Sequence, residues 1–187
     1  MNENNKSKPL NLWVPAVMVL AVFWAGTQAY TIFSRLDLYR QLAESGSMFI
    51  LYRMIAFRVI GLGASLTILI TIFFNRDSII LGTLTGYYLL YAALYFFGIF
   101  MPGNSLSAVV YFAFHIIPAI VLGLVLAKEL PFMPAFISSL VLQITYLLFF
   151  LFLTRNSINW FSLVATMISG TLLLTVLCLV NEERQAA

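Results

Sequence analysis

Residues 48–76 read MFILYRMIAFRVIGLGASLTILITIFFNR, an apolar stretch long enough to cross a bilayer that carries Arg53 and Arg58 in its first half. How those charges are accommodated decides where the helix enters the hydrocarbon. If the span begins at Met48, Arg58 stands within about 6 Å of its centre, at a rise of about 1.5 Å per residue, and costs at least a few kcal/mol without a partner. If it runs instead from Arg58 to Arg76, those roughly 18 steps cover about 27 Å, close to the hydrocarbon thickness, and Arg58 reaches the headgroups on its long stem. Length favours the second reading, which leaves 48–56 above the hydrocarbon, Arg53 outside and Arg58 at its edge. The two arginines are separated by about 140° around a helix, so they do not form one clamp on one face. A lipid phosphate, or Asp37 or Glu44 in the preceding loop, can pair with either.

The surrounding chain has the same character. Of its 187 residues 62% are hydrophobic, 16% aromatic and only 9% charged, against about 45 to 50% apolar and about 25% charged in soluble domains. That composition marks an integral membrane protein in contact with the lipid bilayer. The connections between apolar runs are too short to hold a second domain, so 1–187 reads as one membrane domain. Ten Lys and Arg against seven acids give a net charge of +3 without any block of like charge, which excludes a nucleic-acid footprint. The lone cysteine, Cys178, lies in the last apolar run and reads as a small apolar filler.

Helical spans of about 20 residues are expected at 12–33, 57–75, 79–101, 106–127, 133–153 and 159–180. The fold class is therefore all-α integral membrane, a six-transmembrane-helix bundle with a long first outer loop containing a short amphipathic helix. The first run is longer than a signal-peptide core of about 7 to 15 residues and reads as a retained span behind a short polar tail with Lys6 and Lys8. Asn75-Arg76-Asp77-Ser78, Pro102-Gly103-Asn104-Ser105, Lys128-Glu129-Leu130-Pro131 and Arg155-Asn156-Ser157 combine turn formers with charges and read as hairpin loops. Lys6, Lys8, Arg76, Lys128 and Arg184 fall on one side, and Arg35, Arg40, Arg155 and, if outside, Arg53 on the other. The positive-inside rule then places both termini in the cytoplasm of a cell, at its inner membrane. Trp13 and Trp160 sit near span ends, as interfacial anchors do. Neither an internal repeat nor a low-complexity segment is evident.

In the first loop, Leu36, Tyr39 and Leu42 to Ala43 recur at helical spacing, with Asp37, Arg40 and Glu44 elsewhere on the turn and Gly46 at the end. This helix reads as a connector at the headgroups, the alternative being a lid over a cavity. Several spans carry a stripe that should turn inward, because small residues permit close packing and lone amides avoid lipid. These stripes are Ala21, Ala25, Gln28 and Ala29; Ala135, Ser139, Gln143 and Tyr146; and Ser162, Thr166 and Ser169 with Gly170. Gly82 and Gly86 form a small-xxx-small pattern suited to helix contact. Tyr87 and Tyr91 share one face and Tyr88 and Tyr95 another, and phenol hydroxyls at membrane depth require partners.

His115, the single histidine, falls mid-span, one turn after Tyr111 and three residues before Pro118. Pro118 cannot donate to the Phe114 carbonyl, so a kink with a free acceptor is expected beside the ring. One ionisable group makes no proton relay, which favours a neutral histidine bonded to that carbonyl or to a tyrosine. One His and one Cys cannot supply the three or four ligands of a metal centre, so no metal and no cofactor is expected. Neither a nucleophile elbow, a phosphate-binding glycine loop nor paired intramembrane carboxylates are present, so no catalytic residue is assigned. Gln28, His115 and Gln143 can converge as polar fingers in an apolar, aromatic pocket.

The plan of six helices with cytoplasmic ends, fewer than 200 residues, a long first outer loop and Ala21-Val22-Phe23-Trp24-Ala25 as an AxxxA on the first helix looks like the substrate-binding S-components of energy-coupling-factor vitamin transporters. The resemblance implies a vitamin-sized ligand beneath the first loop and an ATPase partner module. The expectation is thus a polytopic membrane protein binding a small-molecule or lipid ligand within the bundle, with Arg58, His115, Gln28, Gln143, Tyr88, Tyr111 and Arg53 as ligand-binding residues, and a role as a transport component. The alternative is a structural or assembly subunit that meets a membrane protein partner through Ala21, Ala25, Gly82 and Gly86. A membrane-embedded enzyme ranks last.

Overall fold

The structure is a computed structural model, and it describes residues 13–74, 77–100, 105–153 and 160–186. These residues form α1 (Trp13–Ser34), α2 (Leu36–Glu44), α3 (Met48–Ile72), α4 (Asp77–Ile99), α5 (Ser105–Leu126), α6 (Phe132–Leu153) and α7 (Trp160–Ala186), and no strand. All except α2 are long and apolar enough to cross a membrane, which makes the chain a multi-pass membrane protein. Helix is what hydrocarbon imposes, since each backbone N–H and C=O must find its partner within the segment. The tail bearing Lys6 and Lys8 and the expected turns at Asn75-Arg76, Pro102-Gly103-Asn104 and Arg155-Asn156-Ser157 lie outside the described residues.

The helix α3 starts ahead of the span expected at 57–75. The helix is unbroken from Met48 to Ile72, so the segment ahead of the expected start at 57 belongs to the same rod. Arginine is a good helix former, and a charge interrupts hydropathy without interrupting the helix. The midpoint of α3 is Ile60, and Arg58 is about 3 Å from it along the axis. At the other end of the chain, α7 continues past the expected 180 to Ala186. There Arg184 Nη2 donates to the Val125 carbonyl at 2.7 Å, which also accepts from the Lys128 N–H at 3.1 Å, so the side chain ties the end of α7 to the last turn of α5.

The joints are short. Arg35 alone separates α1 from α2. After α2, Gly46 adopts φ +72°, a conformation that favours glycine. The Ser47 N–H then reaches back to the Leu42 carbonyl at 3.0 Å, closing the helix end. Lys128 takes the equivalent left-handed position after α5, at φ +62°, while the Glu129 N–H bonds to the Leu124 carbonyl at 2.9 Å. Pro118 lies inside a helix that runs on through it.

Helix contacts close a ring in the order α1, α3, α4, α5, α6, α7 and back to α1, with α4 and α7 also meeting across it. Short connections make successive spans antiparallel. The ring has two unlike halves. The apolar core takes Val17 and Ala21 from the start of α1, Ile68 and Ile72 from the end of α3, and Ile80 and Leu84 from the start of α4. Leu122 and Val125 at the end of α5, Ala135 at the start of α6 and Leu172, Leu173, Val176 and Leu177 of α7 complete it. In an antiparallel ring all of these lie toward the end that carries the chain termini. The opposite half, which carries α2, is where the ring stays open.

Candidate functional site

The open half holds a cavity of about 470 Å³. Trp24 is both the top of the packed core and part of the cavity lining, and its ring meets Tyr87 edge-on at 4.7 Å. Above it the walls are formed by α1 through Gln28, Thr31 and Ser34, α3 through Arg58, and α4 through Tyr87, Tyr88, Tyr91 and Tyr95. α5 adds Tyr111, Phe114 and His115, α6 adds Leu142, Gln143, Tyr146 and Phe150, and α7 adds Phe161, Ala165, Thr166 and Ser169. Arg35, at the α1–α2 joint, also borders it.

Six of the expected ligand-binding residues, Arg58, His115, Gln28, Gln143, Tyr88 and Tyr111, therefore border one space. Arg53 does not. It is half-buried, with its guanidinium against Gly98 of α4 and over the rings of Phe57 at 5.6 Å and Tyr95 at 5.7 Å. Cation–π attraction and the room left by a glycine hold the charge between α3 and α4. Arg58 is likewise half-buried and turned into the bundle, where Nη1 donates to Gln28 Oε1 at 3.3 Å. The expectation that Arg58 reaches out to the headgroups is thus corrected, because an acceptor and a cavity are both available inward.

Glycines set the positions of the polar side chains. A Cβ on Gly61 of α3 would come within 3.0 to 3.2 Å of the Gln28 side chain, and one on Gly170 of α7 would stand 2.5 Å from Gln143 Oε1. Each amide is therefore seated against the backbone of the next helix. Gln143 is also within hydrogen-bonding reach of the Tyr88 hydroxyl. The Tyr91 hydroxyl donates to the Phe57 carbonyl, and the Tyr87 hydroxyl pairs with Tyr91. Both tyrosine faces of α4 point inward, which meets the requirement of phenol groups for partners at membrane depth.

His115 is buried. Its Nδ1 bonds to the Tyr111 carbonyl at 2.7 Å, a different acceptor from the Phe114 carbonyl expected from Pro118. A carbonyl only accepts, so Nδ1 carries the hydrogen, and in the neutral ring Nε2 is left as an acceptor. The imidazole stacks on Tyr91 at 5.4 Å with 19° between planes, and Tyr95 stacks on Tyr111 at 5.2 Å and 21°. Of the acids whose side chains are described, Asp37, Glu44, Glu129 and Glu182, none lines the cavity.

Sequence reasoning passed over Trp24, Tyr91, Tyr95, Tyr146 and Arg35 as site residues, and over Gly61, Gly98 and Gly170 as seats. The usable signal for the tyrosines was their helical spacing toward the histidine. Gly170 was on a stripe expected to turn inward, but no such signal marks Gly61 or Gly98, whose role depends on a side chain of another helix. The expected partner surface is also altered, since Ala21 is wholly buried in the core and cannot face a second protein; Ala25, Gly82 and Gly86 are half-buried. Among the described residues no three of His, Cys, Asp or Glu come together. The fold and cavity define an all-helical multi-pass membrane protein with a partly open space among its helices. No protein-family model, curated protein or solved structure matches the chain.

Proposed function

We propose that this protein binds a small or amphiphilic molecule in the cavity of its α2 half, as a transport component of a cell membrane with both termini in the cytoplasm. The observation that carries the reading is the convergence of Arg58, Gln28, His115 and Gln143, from four different helices, on one cavity of about 470 Å³. That volume falls in the range of about 300 to 1,000 Å³ of small-molecule sites, and the walls are more polar than the apolar pocket expected from the sequence, because tyrosine, glutamine, serine and threonine side chains line them. In this reading α2 lies at the membrane surface beside the cavity entrance. The AxxxA contact with an ATPase module is not carried forward, because Ala21 is buried. The role we assign is binding, with the single histidine held by Tyr111 and stacked on Tyr91 as a fixed part of the cavity wall.

The test compares molecules released from purified full-length protein and from a Ser169→Phe variant, whose new ring occupies the space Ser169 borders. A small molecule enriched by the wild type and lost in the variant is the expected result. Equal recovery from both defeats the proposal. A second reading, an assembly subunit, draws on α6 being the least enclosed of the six spans; residue-specific photocrosslinking from Val141 and Ile144, both exposed, should capture a partner protein if it holds and lipid alone if it does not.

A further inference from the structure

Resting on the reading of the cavity as a binding site, we infer that its ligand is a ring-bearing carboxylate, with the carboxylate on Arg58 and the ring between the tyrosine walls. The starting point is the chemistry of the partner Arg58 has. The guanidinium is half-buried and turned into the bundle, where a charge needs a strong partner. Its acceptor is a neutral amide oxygen at 3.3 Å, long for a charge-assisted bond, which is typically about 2.7 to 2.9 Å. Among the described residues no Asp or Glu lines the cavity, while Arg35 borders it as a second cation. A space bordered by positive charge alone draws anions and rejects cations.

The form of the anion follows from what surrounds Arg58. A single planar guanidinium matches a carboxylate through two parallel N–H···O bonds, and Gln28 at its side can donate through its amide nitrogen. The orientation argues against a bulk lipid phosphate, because the guanidinium faces Gln28 and the cavity inside the ring rather than the outer surface. The cavity of about 470 Å³ also suits a compact molecule. The body of the ligand is set by the walls: the Tyr91–His115 and Tyr95–Tyr111 stacks present flat faces, and aromatic surfaces favour rings in stacked or edge-on contact. At the far side, His115 Nε2 and the Gln143 amide offer an acceptor and a donor for a polar substituent on that ring.

The experiment titrates the full-length protein in detergent with 2-naphthoate and with 2-naphthamide, a pair equal in shape and different in charge, by calorimetry. The wild type should bind the carboxylate about ten-fold or more tighter than the amide, as one charge-assisted contact warrants. Arg58→Gln should bring the ratio to about one. So should Gln28→Glu, which supplies a carboxylate from within the chain and reads the same ratio should Arg58→Gln fold poorly. A wild-type ratio near one, or a ratio that survives both substitutions, overturns the carboxylate assignment and leaves the cavity as a binding site. Failure of both compounds to bind removes the binding site itself and this inference with it. In nanodiscs, displacement of 2-naphthoate by phosphatidylglycerol but not by phosphatidylcholine assigns Arg58 to an anionic lipid and also overturns the inference; equal binding in the two lipids supports it.

Discussion

If Arg58 is retained for a ligand, the ligand-free fold should be more stable without it. An arginine at the centre of a membrane helix costs about 2.5 to 3.5 kcal/mol on insertion scales. The guanidinium is half-buried and borders the cavity, which relieves part of that cost. Arg58→Leu alone removes the charge but strips the Gln28 oxygen of its donor, a loss of about 1 to 3 kcal/mol for a buried polar group. The single variant should therefore change stability little. Gln28→Leu with Arg58→Leu removes both members, and a leucine of similar size fits the seat Gln28 occupies against Gly61. The double variant should be about 1 to 3 kcal/mol more stable than the wild type, in keeping with replacements of buried polar pairs by apolar residues. Reversible unfolding in mixed micelles, followed by tryptophan fluorescence at matched protein concentration and without ligand, measures it. A double variant less stable than wild type by more than about 1 kcal/mol refutes the reasoning, because the pair would then be holding the helices together.

Three other outcomes are expected. Gly170→Ala places a Cβ 2.5 Å from Gln143 Oε1 and 2.9 Å from its Cδ; the flexible amide should swing away at a cost below about 1 kcal/mol, leaving the melting temperature and 2-naphthoate binding nearly unchanged while 6-hydroxy-2-naphthoate, whose ring hydroxyl can reach the far side, binds several-fold more weakly, and unaltered binding of the hydroxylated probe counts against Gln143 as a ligand contact. In a Cys178→Ser background, Ser45→Cys should react with an impermeant maleimide on intact cells and Lys128→Cys only after lysis; the reverse pattern overturns the assignment of both termini to the cytoplasm. Lys128→Gly should raise thermal stability by up to about 1 kcal/mol, since φ +62° strains a residue with a Cβ; a loss would mean that the lysine side chain makes a compensating contact.

The spans were legible because hydrocarbon demands apolar runs of about 20 residues and offers few alternatives to helix. The start of α3 was not, for a reason specific to Arg53 and Arg58. Hydropathy treats an arginine as a boundary, whereas a bundle can enclose one, and enclosure depends on Gly98 for the first and on Gln28 for the second. The convergence of Gln28, His115 and Gln143 was legible in part, because a lone amide or imidazole among apolar neighbours has little to gain from lipid. Which end of the bundle would hold the open space was not, nor that Ala21 would be enclosed, since a small residue serves internal packing and external docking equally well.

The two halves of the ring differ in side-chain chemistry more than in helix geometry. Aliphatic side chains from α1, α3, α4, α5 and α7 interdigitate in the terminal half, where the loss of voids is rewarded by dispersion contacts. In the α2 half the same helices present tyrosines, glutamines, a histidine and an arginine. Between helices in lipid no hydrophobic force compels such a space to close, and phenol hydroxyls are committed to fixed acceptors such as the Phe57 carbonyl. The rings brace one another through stacked and edge-on contacts, while Gly61 and Gly170 back the two amides. The cavity walls are therefore held in place before anything enters, so a ligand that fits needs little side-chain ordering on binding. The seats would serve no purpose of that kind if the space were a packing fault, because a fault requires no fixed polar groups around it.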